Sequence, residues 1–331
     1  MRWLIKFIRD EWWRKKHDTQ HQDIDERVSR LEKMLEGVPL QIEPSQPPEL
    51  PPGLPELEQD VGEKVRSERL LGCSELIKLG NVAFWRSDYK KADSYYQVAL
   101  DQARKSKRLD LVVAGLGNMG AVRQVTGDLD EALRCHKEAL SLARSIGDRK
   151  GEAGDLGNMG LVYQVKGDLR RATKYHREAL QISQETDDRQ GEASDLSNMG
   201  NVCFQRGDRD KALRCYEQAL AIDREIDYPQ GAAWDLGNIG TIYEAMGELD
   251  KALRYHQEAL DTNRQIGYRQ GEANALGNMG FVYMAKGESE KAMRYLREAL
   301  AILDEHGLAH GRDVIEDAIA EIKQKQQEKE Q

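Results

Sequence analysis

The 331-residue chain has little of what anchors most specialised folds. Cysteine occurs four times, at 73, 135, 203 and 215, without the paired spacing of a structural zinc site. Cys135 and Cys215 share a position that is tyrosine in neighbouring segments (Tyr175, Tyr255, Tyr295), so they read as small core fillers in a reducing compartment. No apolar run approaches the ~18–20 residues of a membrane span. The opening MRWLIKFIRDEWWRKK lacks both the apolar core and the small-residue cleavage site of a secretory leader, and a cytoplasmic protein is expected. Proline is nearly confined to one stretch, with seven of eight between residues 37 and 63. Cationic excess is missing too: the net charge of −9 argues against nonspecific nucleic-acid binding. No Ser–His–Asp, Cys–His or paired-carboxylate set rises above the background. No catalytic residue, metal ligand or cofactor site is therefore expected.

What the chain does have is a period. Gly80, Gly120, Gly160, Gly200, Gly240 and Gly280 are 40 residues apart, and so are Ala92, Ala132, Ala172, Ala212, Ala252 and Ala292. A third column, Ala99-Leu100 through Ala299-Leu300, keeps the same step. Self-similarity at such a period signals a stacked array, because each unit leaves an apolar face for its neighbour to cover. Within Asp235 to Leu260, Leu236, Ile239 and Tyr243 form one helical face. Gly247 breaks that run, and Glu248 opens a second helix carrying Leu249, Ala252, Leu253, Ala259 and Leu260. Small Gly240 and Ala252 mark where the two helices cross closely, with Tyr243 and Leu253 beside the crossing.

The combination of Leu236, Ile239, Gly240, Tyr243, Ala252, His256 and Ala259 resembles the tetratricopeptide repeat (TPR) pattern. The 40-residue length and the phrases LGNMG and DRQGEA resemble the extended TPRs of Pins-type spindle adaptors and their microbial relatives. The resemblance covers residues 71–310 and implies an all-α fold, a right-handed α–α superhelix of six repeats. A further amphipathic helix, carrying Val314, Ile315, Ala318, Ile319 and Ile322, is expected to cap it within residues 311–331, with a charged tail fraying from Lys323. GLGNMG at 115–120 matches a dinucleotide fingerprint by accident. Its equivalents DLGNMG, DLSNMG, DLGNIG and ALGNMG all fall inside a helix, with no strand before them. His136, His176 and His256 share one position a whole repeat apart, too far to share one metal. They read as packing residues at the seam between units.

Asn118, Asn158, Asn198, Asn238 and Asn278 form the most informative column, since asparagine is a poor helix-interior residue. The helical wheel places them opposite Leu236, Gly240 and Tyr243, facing a groove. In related TPR arrays the asparagine here forms a ladder that hydrogen-bonds the backbone of an extended peptide, as an amide can both donate and accept. The alternative is that each amide binds the neighbouring unit. Nearby positions are mostly small, while Leu161, Phe204, Trp234, Phe281 and Met284 supply larger apolar groups. The lysine and arginine set with which chaperone-binding TPRs clamp a terminal carboxylate is missing, as are the arginines of Pins-type grooves. Asp155, Asp195 and Asp235 stand three residues before their asparagines, so a neutral or basic extended peptide is the expected partner, although their place toward the edge between units suits a structural role equally.

Ahead of the array, Trp3, Leu4, Phe7, Ile8 and Trp12 fall on one side of a helix in a segment with six basic residues between 1 and 17. That composition suits a membrane interface, and equally a partner, a second copy or the array itself. Ile24, Val28, Leu31 and Leu35 extend it as a two-heptad seam through residues 1–36. Residues 37–63 then read as an acidic, extended linker and residues 64–310 as the array. The sequence predicts a non-enzymatic adaptor that holds a peptide of a partner protein in its groove, tethered by the N-terminal helix. The alternative is a structural protein that oligomerises through its N-terminal helices.

Overall fold

The computed structural model describes residues 72–85, 88–306 and 311–330. The predicted N-terminal helices, with Trp3, Leu4, Phe7, Ile8 and Trp12, and the proline-rich linker lie outside the described residues. Among those described there are thirteen helices and no strand. In chain order they are α1 (Cys73–Trp85), α2 (Tyr89–Lys105), α3 (Leu109–Val125), α4 (Leu129–Ile146), α5 (Arg149–Val165), α6 (Leu169–Glu185) and α7 (Arg189–Gln205). They continue as α8 (Arg209–Glu225), α9 (Pro229–Ala245), α10 (Leu249–Gln265), α11 (Arg269–Ala285), α12 (Ser289–Glu305) and α13 (Arg312–Glu330). Odd-numbered helices up to α11 are the A helices of six repeats and even-numbered ones the B helices.

Short-range chemistry sets the ends of these elements. Gly127, Gly167, Gly207, Gly247 and Gly287 adopt positive φ between A and B, where a side chain would be strained. Asp88, Asp128, Asp168 and Asp208 then cap the B helices of repeats 1 to 4, each carboxylate accepting from the backbone N–H three residues on. Glu248 and Glu288 hold that place in repeats 5 and 6 and make no such bond.

The chain divides into two compact bodies, with the division inside α7 between Asn198 and Met199. In the first, α1 packs on α2, α3 on α4 and α5 on α6, while α2 and α4 each pack on the following A helix. Its A helices α1, α3 and α5 also touch one another in succession. In the second, α9 pairs with α10 and α11 with α12, α8 and α10 pack on the following A helix, and α9 touches α11. The alanine columns explain the close pairing: Ala92, Ala132, Ala172, Ala212, Ala252 and Ala292 have no exposed surface at all. Neighbouring repeats are also tied by surface ion pairs at matched spacing, Arg104–Glu138 at 2.7 Å and Arg264–Glu298 at 2.8 Å. Such exposed pairs contribute roughly 0–1 kcal/mol each, so apolar burial dominates.

The capping helix α13 packs on α12 through Ile315, Ala318, Ile319 and Ile322. It does not fray at Lys323 but runs to Glu330, against the sequence expectation. Its Lys, Glu and Gln residues are good helix formers, and Glu321 pairs with Lys325 one turn on.

Candidate functional site

The repeat crossing is tighter than spacing alone suggests. A methyl group built on Gly160 would lie 2.6 Å from Cε1 of His176, and one on Gly240 would lie 2.6 Å from Cε1 of His256. Gly120 meets His136, Gly80 meets Tyr96, Gly200 meets Tyr216 and Gly280 meets Leu296 in the same way. The histidines pack on the crossing within their own repeats, a contact their spacing did not show. Each ring lies on the glycine of its own repeat, and His136 alone is seen to reach across, with Nδ1 2.9 Å from Oδ1 of Asp155. Burial pushes His176 down to about 3 and His256 down to about 4, so both are neutral at ordinary pH. Among the described residues no three His, Cys, Asp or Glu side chains gather to hold a metal.

Beside each crossing lies a second contact. Tyr163 stacks on Tyr175 at 5.4 Å between ring centres, and Tyr243 on Tyr255 and Tyr283 on Tyr295 at 5.3 Å. A cation covers the A-helix ring each time: Arg171, Lys251 and Lys291.

The asparagine column does not behave uniformly. Asn118 donates from Nδ2 to Oδ1 of Asn81 at 3.2 Å, so its amide is spent on the preceding repeat. Asn158 is buried, and Asn278 is half-buried. Asn198, 6% exposed, has a buried Nδ2 with no partner, and Nδ2 of half-buried Asn238 is in the same state. A buried amide donor left unpaired costs about 1–3 kcal/mol, so two of them on equivalent turns of A helices call for an acceptor.

Two residues that sequence reasoning passed over share this condition. Gln164 is 3% exposed and neither Oε1 nor Nε2 has a partner, and Oε1 of buried Gln124 is also unpaired. They stand four residues after the repeat glycine, where other repeats have Phe84, Phe204, Glu244 and Met284. The signal was present in the sequence as an amide recurring at a position otherwise apolar or acidic, but its variability hid it. Phe204 and Met284, both at this position, are half-buried and pack on the core of the second body, and Trp234 is half-buried. Leu161 and Phe281 are buried, as Gln164 and Asn198 are, but being apolar they need no partner there.

The three aspartates lie inward as well. Asp155, Asp195 and Asp235 are all buried. Burial raises the Asp155 and Asp195 carboxyls, opposed at Asp155 by the His136 contact and at Asp195 by a hydrogen bond donated from Ser183 Oγ at 3.2 Å. Asp155 and Asp195 thereby tie their repeats to the preceding one. The second body also has an open hollow of ≈ 550 Å³ lined by Leu220, Ile239, Tyr243 and Tyr255. Arg224 and Lys251 on its rim are already paired with Glu258 and Glu248.

Antiparallel helix pairs on a fixed 40-residue step, each closed by a glycine under a buried side chain, define an α-helical repeat protein built as a solenoid. The family model of the tetratricopeptide repeat matches residues 72–145, 155–225 and 232–305, and the chain belongs to that family. Among solved structures, the chain is similar to BtubC (BKLC) from P. vanneervenii, at 22% identity and a TM-score of 0.57, over 67% of this chain and 93% of that one. It is similar to a Rap protein complexed with competence and sporulation factor, at 13% identity and a TM-score of 0.60, over 97% and 92% of the two chains. NprR in complex with its cognate peptide NprX matches at 15% identity and a TM-score of 0.54, over 91% and 83%. At these identities the likeness is one of fold. No curated protein matches the chain.

Proposed function

We propose that the protein is a non-enzymatic TPR adaptor that binds an extended, neutral peptide segment of a partner along the A-helix face. The observation that carries this reading is the set of buried amides without partners, Gln124, Gln164 and Asn198 in the first body, repeated by Asn238 in the second. An extended backbone offers N–H and C=O groups at every residue, and amides satisfy both without selecting side-chain charge. With the aspartates buried, and Asp155 and Asp195 engaged by His136 and Ser183, recognition rests on the backbone. The ligand is accordingly neutral or mildly basic, and not dependent on charge. The fold-level likeness to NprR, whose structure holds its cognate peptide, supports a peptide ligand for this architecture. Small groove residues such as Gly117 and Gly237 leave room for a chain to approach: a methyl group on Gly237 would meet no heavy atom within 4 Å. From sequence alone, the segment containing Trp3, Leu4, Phe7, Ile8 and Trp12 would tether this adaptor to a membrane surface or a second partner.

The test is a random linear peptide library displayed on phage and panned against the full-length chain. Enriched peptides should tolerate side-chain replacement yet lose affinity when single backbone amides are replaced by esters, which weakens the carbonyl and deletes the N–H. Peptides whose affinity follows their side-chain charges and ignores the ester series would overturn the reading.

A further inference from the structure

The fourth repeat departs from its neighbours at one place. Where repeats 3, 5 and 6 stack Tyr163 on Tyr175, Tyr243 on Tyr255 and Tyr283 on Tyr295, repeat 4 has Cys203 on α7 and Cys215 on α8. The position that puts Arg171, Lys251 or Lys291 over the A-helix ring is Lys211 here. The two thiols stand on the facing positions that hold stacked rings in those repeats, both are half-buried, and neither is in a disulfide. Tyr216, next to Cys215, holds α7 and α8 together through its contact with Gly200 and its hydrogen bond to Asn201. The two cysteines therefore share the close place of a stacked ring pair, and bridging turns on that proximity.

We infer that Cys203 and Cys215 form an oxidation site, a dithiol that closes to a disulfide between α7 and α8 when a hydroperoxide reaches it and reopens under a dithiol reductant. The chemistry divides between the two sulfurs. The hydrogen bond from Cys215 lowers the Cys203 thiol to about 7 against burial and the Asp208 charge, with Lys211 and Arg206 adding smaller favourable charge. Cys215 is pushed the other way, by that same hydrogen bond and by burial. Cys203 is thus the attacking thiolate and Cys215 the resolving thiol. The Cys203 sulfur attacks the terminal peroxide oxygen, the O–O bond breaks, and a sulfenic acid forms while the other oxygen leaves as water or alcohol. The Cys215 sulfur then displaces the hydroxyl from Cys203, giving the disulfide and a second water. Two thiols supply the two electrons that reduce the peroxide. Cys135 is no alternative partner: it is buried, and its thiol is raised to about 11, chiefly by burial.

The reduced full-length chain should be treated with a modest excess of hydrogen peroxide, its thiols counted in denaturant and its peptides mapped by mass. Of four thiols, two should be lost, the Cys203 and Cys215 peptides should appear linked, and dithiothreitol should restore all four. In Cys215→Ser, Cys203 should instead be trapped as a sulfenic acid by a dimedone probe, and in Cys203→Ser the remaining thiols should persist. Retention of all four thiols in the parent would overturn the inference. So would linkage through Cys73, Cys135 or a second chain, or oxygen gained at Cys203 without linkage. The parent map requires no variant to fold.

Discussion

Replacing His176 by leucine isolates the physics of the repeat crossing. Leu296 already fills the equivalent place over Gly280, so the apolar side chain suits the site. The His176 ring has no exposed surface and neither nitrogen has a partner, and burial holds its folded-state value at about 3. In the unfolded chain histidine titrates near ~6.5. A group whose folded value is depressed contributes its stability above the unfolded value and loses it as pH falls. The unfolded chain therefore takes up a proton below pH ~6.5 that the folded chain refuses, and at pH ~5 this costs about 2 kcal/mol. Asp195, on the following A helix, acts with the opposite sign, because burial raises its carboxyl and protonation favours the folded state as pH falls. The parent profile mixes the two, but the difference between parent and His176→Leu does not. Urea titrations followed by helical circular dichroism should show the variant gaining about 2 kcal/mol more over the parent at pH ~5 than at pH ~8. An equal difference at both values would mean that the ring reaches water or a proton in the folded chain, and the burial argument would fail.

Other outcomes are expected as follows. Gly160→Ala should destabilise by about 1–3 kcal/mol through overpacking against His176, more than the ~1 kcal/mol gained from helix propensity, whereas Gly237→Ala, with open space around it, should raise the melting temperature. If both variants melt alike, the crossing is looser than described. Limited proteolysis should cut first between residues 37 and 63 and release a stable array, and equal protection of both would contradict the linker reading. Full-length chain should co-sediment with anionic vesicles in a salt-sensitive way and lose this on deletion of residues 1–17, and vesicle binding that survives the deletion removes the tether.

The period was legible because the crossing admits only the smallest residues, so Gly240 and Ala252 could not vary without opening the helix pair. The turn at Gly247 was legible for a backbone reason, its positive φ. What spacing could not resolve was depth. A helical wheel places Asn198 and Asn118 at the same angle, yet one is buried with an idle donor and the other is spent on Asn81. Asn118 meets Asn81, where the equivalent residue for Asn198 is Leu161, but Nδ2 of Asn238 stays unpaired although residue 201 is asparagine, so residue identity alone does not decide the pairing. Likewise the wheel could not show that a histidine lies on its own glycine, because that contact joins two helices and a wheel describes one. Gln124 and Gln164 were hidden by variability, and Cys203–Cys215 by its rarity: a tyrosine pair elsewhere gives no warning that the sulfurs will meet.

The central claim is that the idle amides exist for a peptide. Gln164→Leu combined with Asn198→Ala removes two of the three in the first body, leaving Gln124, while keeping the helix propensity nearly intact. Measured on the full-length chain with a peptide from the panned library, the variant should melt at or above the parent, because unpaired buried amides are gone. The same variant should bind that peptide more weakly, by about 0.5–1.5 kcal/mol for each hydrogen bond removed. A fall in melting temperature with affinity unchanged would contradict the account, placing these side chains in the service of the fold and the ligand elsewhere.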